Sequence, residues 1–240
     1  MANHIPTSQR LHDRLGSLIS ATPPGDRLPS EPELARDLGV SRATLREAMR
    51  IFETQGLIRR RQGSGTYVLS PSHVIESGLE VLESIETLAE RIGLKAAVRD
   101  LKLENRLATE EEANALQVSH ATRVVHLARV IYAGDRAVAY LIDIVPETIL
   151  DPGELDENFS GSVLDIFIRR GSPVLISSRC DINAVTATPD VARALGIQRG
   201  DVLLCFEAFL YDTEGNVVDY SFSYFLPGVF RFHVVRKVGT

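Results

Sequence analysis

The sequence predicts an α+β protein in two parts: a small helical head closed by a two-stranded hairpin, then a larger domain of antiparallel strands with helices between them. Three features of the 240-residue chain carry that reading. Residues 28–68 change from a helical to a strand-like hydrophobic period. Beyond residue 96, apolar runs of strand length alternate with short segments that open on Ser or Thr and close on Gly. The charge divides the same way: residues 1–70 hold 10 arginines against 7 carboxylates, net +3, whereas residues 71–240 carry a net −9.

In LPSEPELARDLGV, Ser30 is an N-cap and Glu33 its capping-box partner, with Leu34, Ala35 and Leu38 as the apolar stripe and Gly39 as the stop. Ser41 caps a second helix. Its apolar side is Ala43 or Leu45, then Ala48, Met49 and Phe52, which leaves Arg42, Thr44, Arg46 and Arg50 on polar faces before Gly56 ends it. LIRRRQGSGTYV then reads as a strand, a Gly-Ser-Gly tip and a second strand, with Arg59, Arg60 and Arg61 entering the turn.

Helix, turn, capped helix and basic hairpin are the plan of a winged helix-turn-helix, and the spacing points to DNA. Arg42 and Arg46, four residues apart, project from one face near the helix start, where such helices meet base edges in the major groove. Arginine there grips guanine bidentately, worth roughly 1–3 kcal/mol of discrimination. The tip, Gln62-Gly63-Ser64-Gly65, lacks bulk, so its backbone can approach phosphates or a minor groove while the arginines supply charge. A lone helix-turn-helix pattern or an arginine run is weak evidence; the ordered set is specific.

Ser70-Pro71-Ser72 marks a linker, taken as residues 70–80 between domains 1–69 and 81–240. VIESGLEVLESIETLAERIGL places Leu79, Leu82, Ile85 or Leu88, and Ala89 or Ile92 at helical intervals. A strand over VRDLKLENRLA follows, then a capping box at Thr109 and Glu112 opening a helix to about Leu116. RVVHLARVIYA and AVAYLIDIV form a hairpin at Gly134-Asp135, and Pro146 to Asn158 is a loop. Ser160 or Ser162 opens the helix VLDIFIRR, ended by Gly171; a long strand VLISSRCDINAVTA precedes the Thr188-Pro189 helix start; two strands flank the DTEGN turn.

Residues 7–69 resemble the DNA-binding domain of the GntR family of bacterial transcription regulators. That resemblance implies operator contacts from Arg42, Thr44, Arg46, Arg61, Gln62 and Gly63. Pro32 stands where many members carry a basic or polar residue, which removes one contact but suits a helix's first turn. Residues 80–238 resemble the effector-binding domain of the HutC-like branch, called UTRA and similar in fold to chorismate lyase. The markers are the Arg129 hairpin, the strand ending in Pro146, Ser162, Ala192-x-x-Leu195-Gly196 and YD-x-x-G-x-VVDYS at 211–221. By position, the resemblance implies effector contacts from Ser84, Thr87, Arg129, Ser162 and Asp219. Read from the residues alone, Ser84 and Ser162 serve equally as N-caps, Arg129 can pair with Asp143 across the hairpin, and Asp219 can be a solvated strand residue. Ile131, Leu141 and Phe225-Leu226-Pro227-Gly228 replace polar positions of the sugar-phosphate-sensing relatives. One arginine in an apolar wall then suits a carboxylate or other small anion.

The overall net charge of −6 alone would argue against nucleic acid, but it averages two opposite halves. No apolar run approaches the roughly 18–20 residues of a membrane helix and no signal-peptide pattern opens the chain, which predicts a cytoplasmic protein with no membrane partner. Cys180 and Cys205 read as reduced core thiols, and the six histidines lack metal-ligand spacing, so neither metal nor cofactor is expected. No Ser-His-Asp order, paired-carboxylate motif or cofactor loop suggests catalysis. The expectation is a ligand-responsive repressor, a homodimer on near-palindromic double-stranded operator DNA. The alternatives are a constitutive DNA binder whose second domain only dimerises, and a lyase-like enzyme.

Overall fold

The computed structural model describes residues 7–54, 57–61, 64–69, 75–91, 96–155, 159 and 161–234. The chain divides between Val74 and Ile75 into two compact units. No described helix is long and apolar enough to cross a membrane.

The first unit runs α1 (Thr7–Ala21), α2 (Glu31–Leu38), α3 (Arg42–Thr54), β1 (Ile58–Arg61) and β2 (Gly65–Val68). The Glu33 carboxylate accepts from the Ser30 backbone N–H at 2.9 Å, and Gly39 ends α2 at φ 69. The Ser41 hydroxyl accepts from the Thr44 N–H at 3.1 Å and starts α3. Leu45, not Ala43, faces inward, joining Met49 and Phe52 against Leu15 and Ile19 of α1, which the local pattern had not suggested. β1 and β2 pair antiparallel, Ile58 opposite Val68 and Arg61 opposite Gly65. The segment before α2 joins them: Leu28 N–H donates to Thr66 O at 2.8 Å and Val68 N–H to Asp26 O at 2.9 Å.

The second unit holds a six-stranded antiparallel sheet in the order β4-β5-β6-β9-β8-β7. Its strands are β4 (Ala96–Leu107), β5 (Arg123–Ala133), β6 (Arg136–Pro146), β7 (Leu175–Thr186), β8 (Val202–Asp212) and β9 (Val217–Phe225). Around it lie α4 (Ile85–Arg91), α5 (Glu110–Leu116), α6 (Val163–Arg170) and α7 (Pro189–Leu195). The capping boxes and glycine stops fall where the sequence placed them. Thr109 and Glu112 open α5, Ser162 rather than Ser160 opens α6, and Thr188 opens α7. Each sheet face has its own core. On one, Val125, Leu127, Val145, Leu210 and Val218 cluster with Val163, Ile166 and Phe167 of α6; on the other, Val124, Ile144, Val217 and Tyr220 cluster with Leu116 of α5.

The expected linker and the helix after it differ. Residues 75–78 form β3 (Ile75–Gly78), which pairs in parallel with β10 (Phe230–His233), so the second unit starts before residue 81. Helix α4 begins only at Ile85; Leu79, Val81 and Leu82 are exposed, while Leu88 and Ala89 are buried. Periodicity failed here because the partner of β3 lies some 150 residues away, and local spacing carries no trace of it. Cys205 lies in the core, where burial pushes its thiol up to about 11, but Cys180, also expected there, is exposed.

Candidate functional site

Two surfaces gather the residues singled out from the sequence, one in each unit. In the first, Arg42, Thr44 and Arg46 are exposed at the start of α3. Arg46 is not unattached: its Nε donates to Glu31 of α2 at 2.7 Å. The Thr44 hydroxyl lies 2.8 Å from that of Ser41. Of the three wing arginines, Arg60 turns back to Glu53 of α3 at 2.6 Å, whereas Arg59 and Arg61 face solvent, with the Arg61 guanidinium 5.4 Å from the Tyr67 ring. Gln62 and Gly63 lie outside the described residues. Gly65 keeps its φ of +119 next to the Arg27 guanidinium, into which a Cβ would run. Arg27 is thus an exposed cation beside the wing. Sequence reasoning passed over Arg27 and Glu31, because only the tertiary fold sets them against the wing and α3.

In the second unit, Arg129, Asp143 and Asp219 form a diagonal row across the adjacent strands β5, β6 and β9, on the face covered by α6. Register explains the row: Arg129 is opposite Leu141 and Asp143 opposite Ser221, so each successive residue stands one diagonal step along the same face. Arg129 Nη1 donates to the Asp143 carboxylate, and both residues are buried. Asp219 is buried rather than solvated; burial, then the neighbouring Asp143 charge, holds its carboxyl well above the usual carboxylate range.

The starts of α4 and α6 carry the other expected residues. The Ser162 hydroxyl caps α6, accepting from Asp165 N–H at 3.0 Å. Ser84 caps α4, accepting from Thr87 N–H at 3.0 Å, and donates to the Asp165 carboxylate at 2.7 Å, which ties the two helix starts together. Thr87 is exposed, so this end of the cluster meets solvent. All five expected effector residues therefore belong to one neighbourhood, with both serines acting as caps as well.

Glu86 was not anticipated. Its Oε1 is buried beside Gly161, where an added Cβ would come within 3.0 Å of it, and burial raises its carboxyl above the ordinary value. The signal for Asp143 and Asp219 was legible: each is a lone carboxylate inside an otherwise apolar strand run, LIDIV and VVDYS. Three buried atoms in this neighbourhood, Glu86 Oε1, Arg129 Nε and Asp219 Oδ1, have no hydrogen-bond partner among the described residues.

Comparison with known proteins identifies both parts of the chain. Residues 91–231 match the family model of the UTRA domain, and residues 7–68 that of the bacterial regulatory proteins of the gntR family. The chain is 30% identical over 206 residues to the HTH-type transcriptional repressor NagR of Bacillus subtilis, spanning 85% of this chain and 83% of that one. It is 31% identical over 187 residues to a histidine utilization repressor of Pseudomonas aeruginosa, spanning 77% and 72%. Among solved structures, PhnF from Mycobacterium smegmatis superposes with a TM-score of 0.65 at 22% identity, over 95% of this chain and 100% of that chain, a likeness of fold.

Proposed function

The chain belongs to the GntR family of bacterial regulatory proteins and carries a UTRA domain, and from that premise we propose how it works: two copies grip a near-palindromic operator with their winged heads until a small molecule seats in the second unit. It is a ligand-responsive transcription repressor, not an enzyme. The observation that carries the DNA half is the pair Arg42 and Arg46, exposed one turn apart at the start of α3. A helix presented in that way enters the major groove N-terminus first. Two such helices, related by a two-fold axis, reach half-sites about 34–36 Å apart. Arg59, Arg61 and Arg27 add phosphate contacts at the wing, and the whole protein works in the cytoplasm.

The effector is held where Ser84, Thr87, Arg129, Ser162 and Asp219 converge. A full reversal of operator occupancy needs a preference of about 5.5 kcal/mol for the released state. The sequence suggested a carboxylate or other small anion there; the carboxylates gathered around Arg129 weigh against it.

The test is binding of the purified protein to the DNA flanking its own gene, titrated against salt, with the oligomeric state measured by sedimentation. The expected result is one dimer per duplex, a steep fall in affinity with salt, and specific binding weakened about 5- to 30-fold in Arg46→Ala. A monomer on DNA, or binding indifferent to salt, contradicts the proposal.

A further inference from the structure

We propose that the effector carries a protonated nitrogen, an ammonium or amidinium group, that donates to the open carboxyl oxygen of Asp219 or Glu86, with Arg129 donating to another part of the same molecule. The inference rests on the reading of this sheet face as the effector site and names the chemistry it selects.

The balance of charge decides the class. Arg129 on β5 and Asp143 on β6 act on both Asp219 of β9, which also shares a hydrogen bond with Asp143, and Glu86 of α4, and Asp165 of α6 acts on Glu86, one cation against four carboxyl groups. Arg129 already donates to Asp143. Ser84 occupies an oxygen of Asp165. What remains open is one donor, Arg129 Nε, and two acceptors, Glu86 Oε1 and Asp219 Oδ1, all three buried and unpartnered among the described residues. Arg129 and Asp219 are themselves only 4% and 5% exposed, so water replaces their missing partners poorly.

An anion brought to Arg129 would have to displace or sit beside the Asp143 carboxylate, and like charges at short range in a water-poor site repel strongly. A cation meets the opposite situation. It supplies a donor to an open carboxyl oxygen and stabilises the ionised form of a carboxyl that burial otherwise keeps protonated, so that the contact becomes a charge-assisted hydrogen bond. Ile131, Leu141 and Leu127, buried on the same two strands, make the surroundings apolar, which suits a short hydrocarbon body behind the charged head.

Protons give a second handle. Burial and the neighbouring Asp143 raise the carboxyl of Asp219, and burial raises that of Glu86. A bound cation favours the ionised forms, so it should expel protons and bind tighter as pH rises; a bound anion should take protons up.

The experiment uses the full chain and two isosteric pairs, benzamidine against benzoate and n-butylamine against n-butyrate, each at about 20 mM. Molecules of this size reach millimolar affinity in a complementary site, which corresponds to a rise in melting temperature of about 2–6 °C. The expected result is stabilisation by the cationic member of at least one pair and not by its carboxylate. Calorimetry in two buffers of different ionisation enthalpy should show proton release, with affinity rising as pH rises above the ordinary carboxylate range. Asp219→Asn should weaken the response at least tenfold, while Glu214→Gln on an exposed turn leaves it unchanged. Because Asp219→Asn can disturb packing, the proton release of the unsubstituted protein stands as independent evidence. Stabilisation by the carboxylates alone, proton uptake, or silence from all four compounds overturns the proposal. The carboxylate outcome, if Arg129→Lys reduces it, leaves the effector site in place and removes only the cationic class; equal responses in Asp219→Asn and Glu214→Gln remove the site itself. Operator binding, measured without any of the compounds, tests the repressor reading separately.

Discussion

In the protein free of DNA, the guanidinium expected to read a base already has a partner. Arg46 Nε donates to Glu31 at 2.7 Å, with 56% of the arginine side chain and 21% of the glutamate exposed. An ion pair so exposed stabilises by about 0–1 kcal/mol, whereas a bidentate contact to guanine discriminates by about 1–3 kcal/mol. The groove therefore wins the arginine, at a small cost. Arg46→Ala should lose a net ~1–2 kcal/mol of specific binding, about 5- to 30-fold in Kd. Glu31→Gln should do the opposite, strengthening binding up to about fivefold, because it removes both the rival acceptor and a negative charge near the phosphates. The gain should vanish when Arg46 is already alanine. Fluorescence anisotropy with an operator duplex and a scrambled duplex, between about 50 and 200 mM salt, reads all three proteins. If the contact is to a base, Arg46→Ala leaves the salt slope nearly unchanged, whereas Arg61→Ala on the wing lowers it by about one. Glu31→Gln weakening the complex as much as Arg46→Ala would refute the competition and make Glu31 the residue that holds Arg46 in its reading pose.

Two further outcomes follow from burial. Leu45, wholly buried beneath the recognition helix, should cost about 2–5 kcal/mol when cut to alanine, a large share of a domain's usual 5–15 kcal/mol; calorimetry should show the melting of the first unit shifted down or lost, together with all DNA binding, specific or not. Asp219 and Glu86 hold protons more tightly folded than unfolded, so their contribution is complete below the ordinary carboxylate range, near pH 4, and is lost as pH rises through the folded values. The melting temperature of the second unit should accordingly fall as pH rises above the ordinary carboxylate range, and Asp219→Asn should flatten that fall and raise stability at the alkaline end. A melting temperature that climbs with pH, with the same slope in both proteins, contradicts the assignment.

Local chemistry made much of this protein readable. Ser30, Ser41, Thr109, Ser162 and Thr188 start helices, and Gly39, Gly171 and Gly196 stop them, because caps act within one turn of chain. The hairpin at Gly134-Asp135 and the alternation of β5, β6, β8 and β9 are local for the same reason. Arg42 and Arg46 share a helix face by spacing alone. What spacing could not supply was every pairing between distant segments. The parallel ladder of β3 with β10 turned an expected linker and helix into a strand, and the contact between α2 and α3 gave Arg46 its carboxylate. Most of all, the register of three neighbouring strands aligned Arg129, Asp143 and Asp219, and the helix starts above them brought in Glu86 and Asp165. The sequence by itself determined most of the helix and strand segments and which arginines share a face of α3, since those depend on neighbours a few residues apart; only the tertiary structure decided which charges share a water-poor space, since that depends on register and packing between segments as far apart in the chain as Glu86 and Asp219.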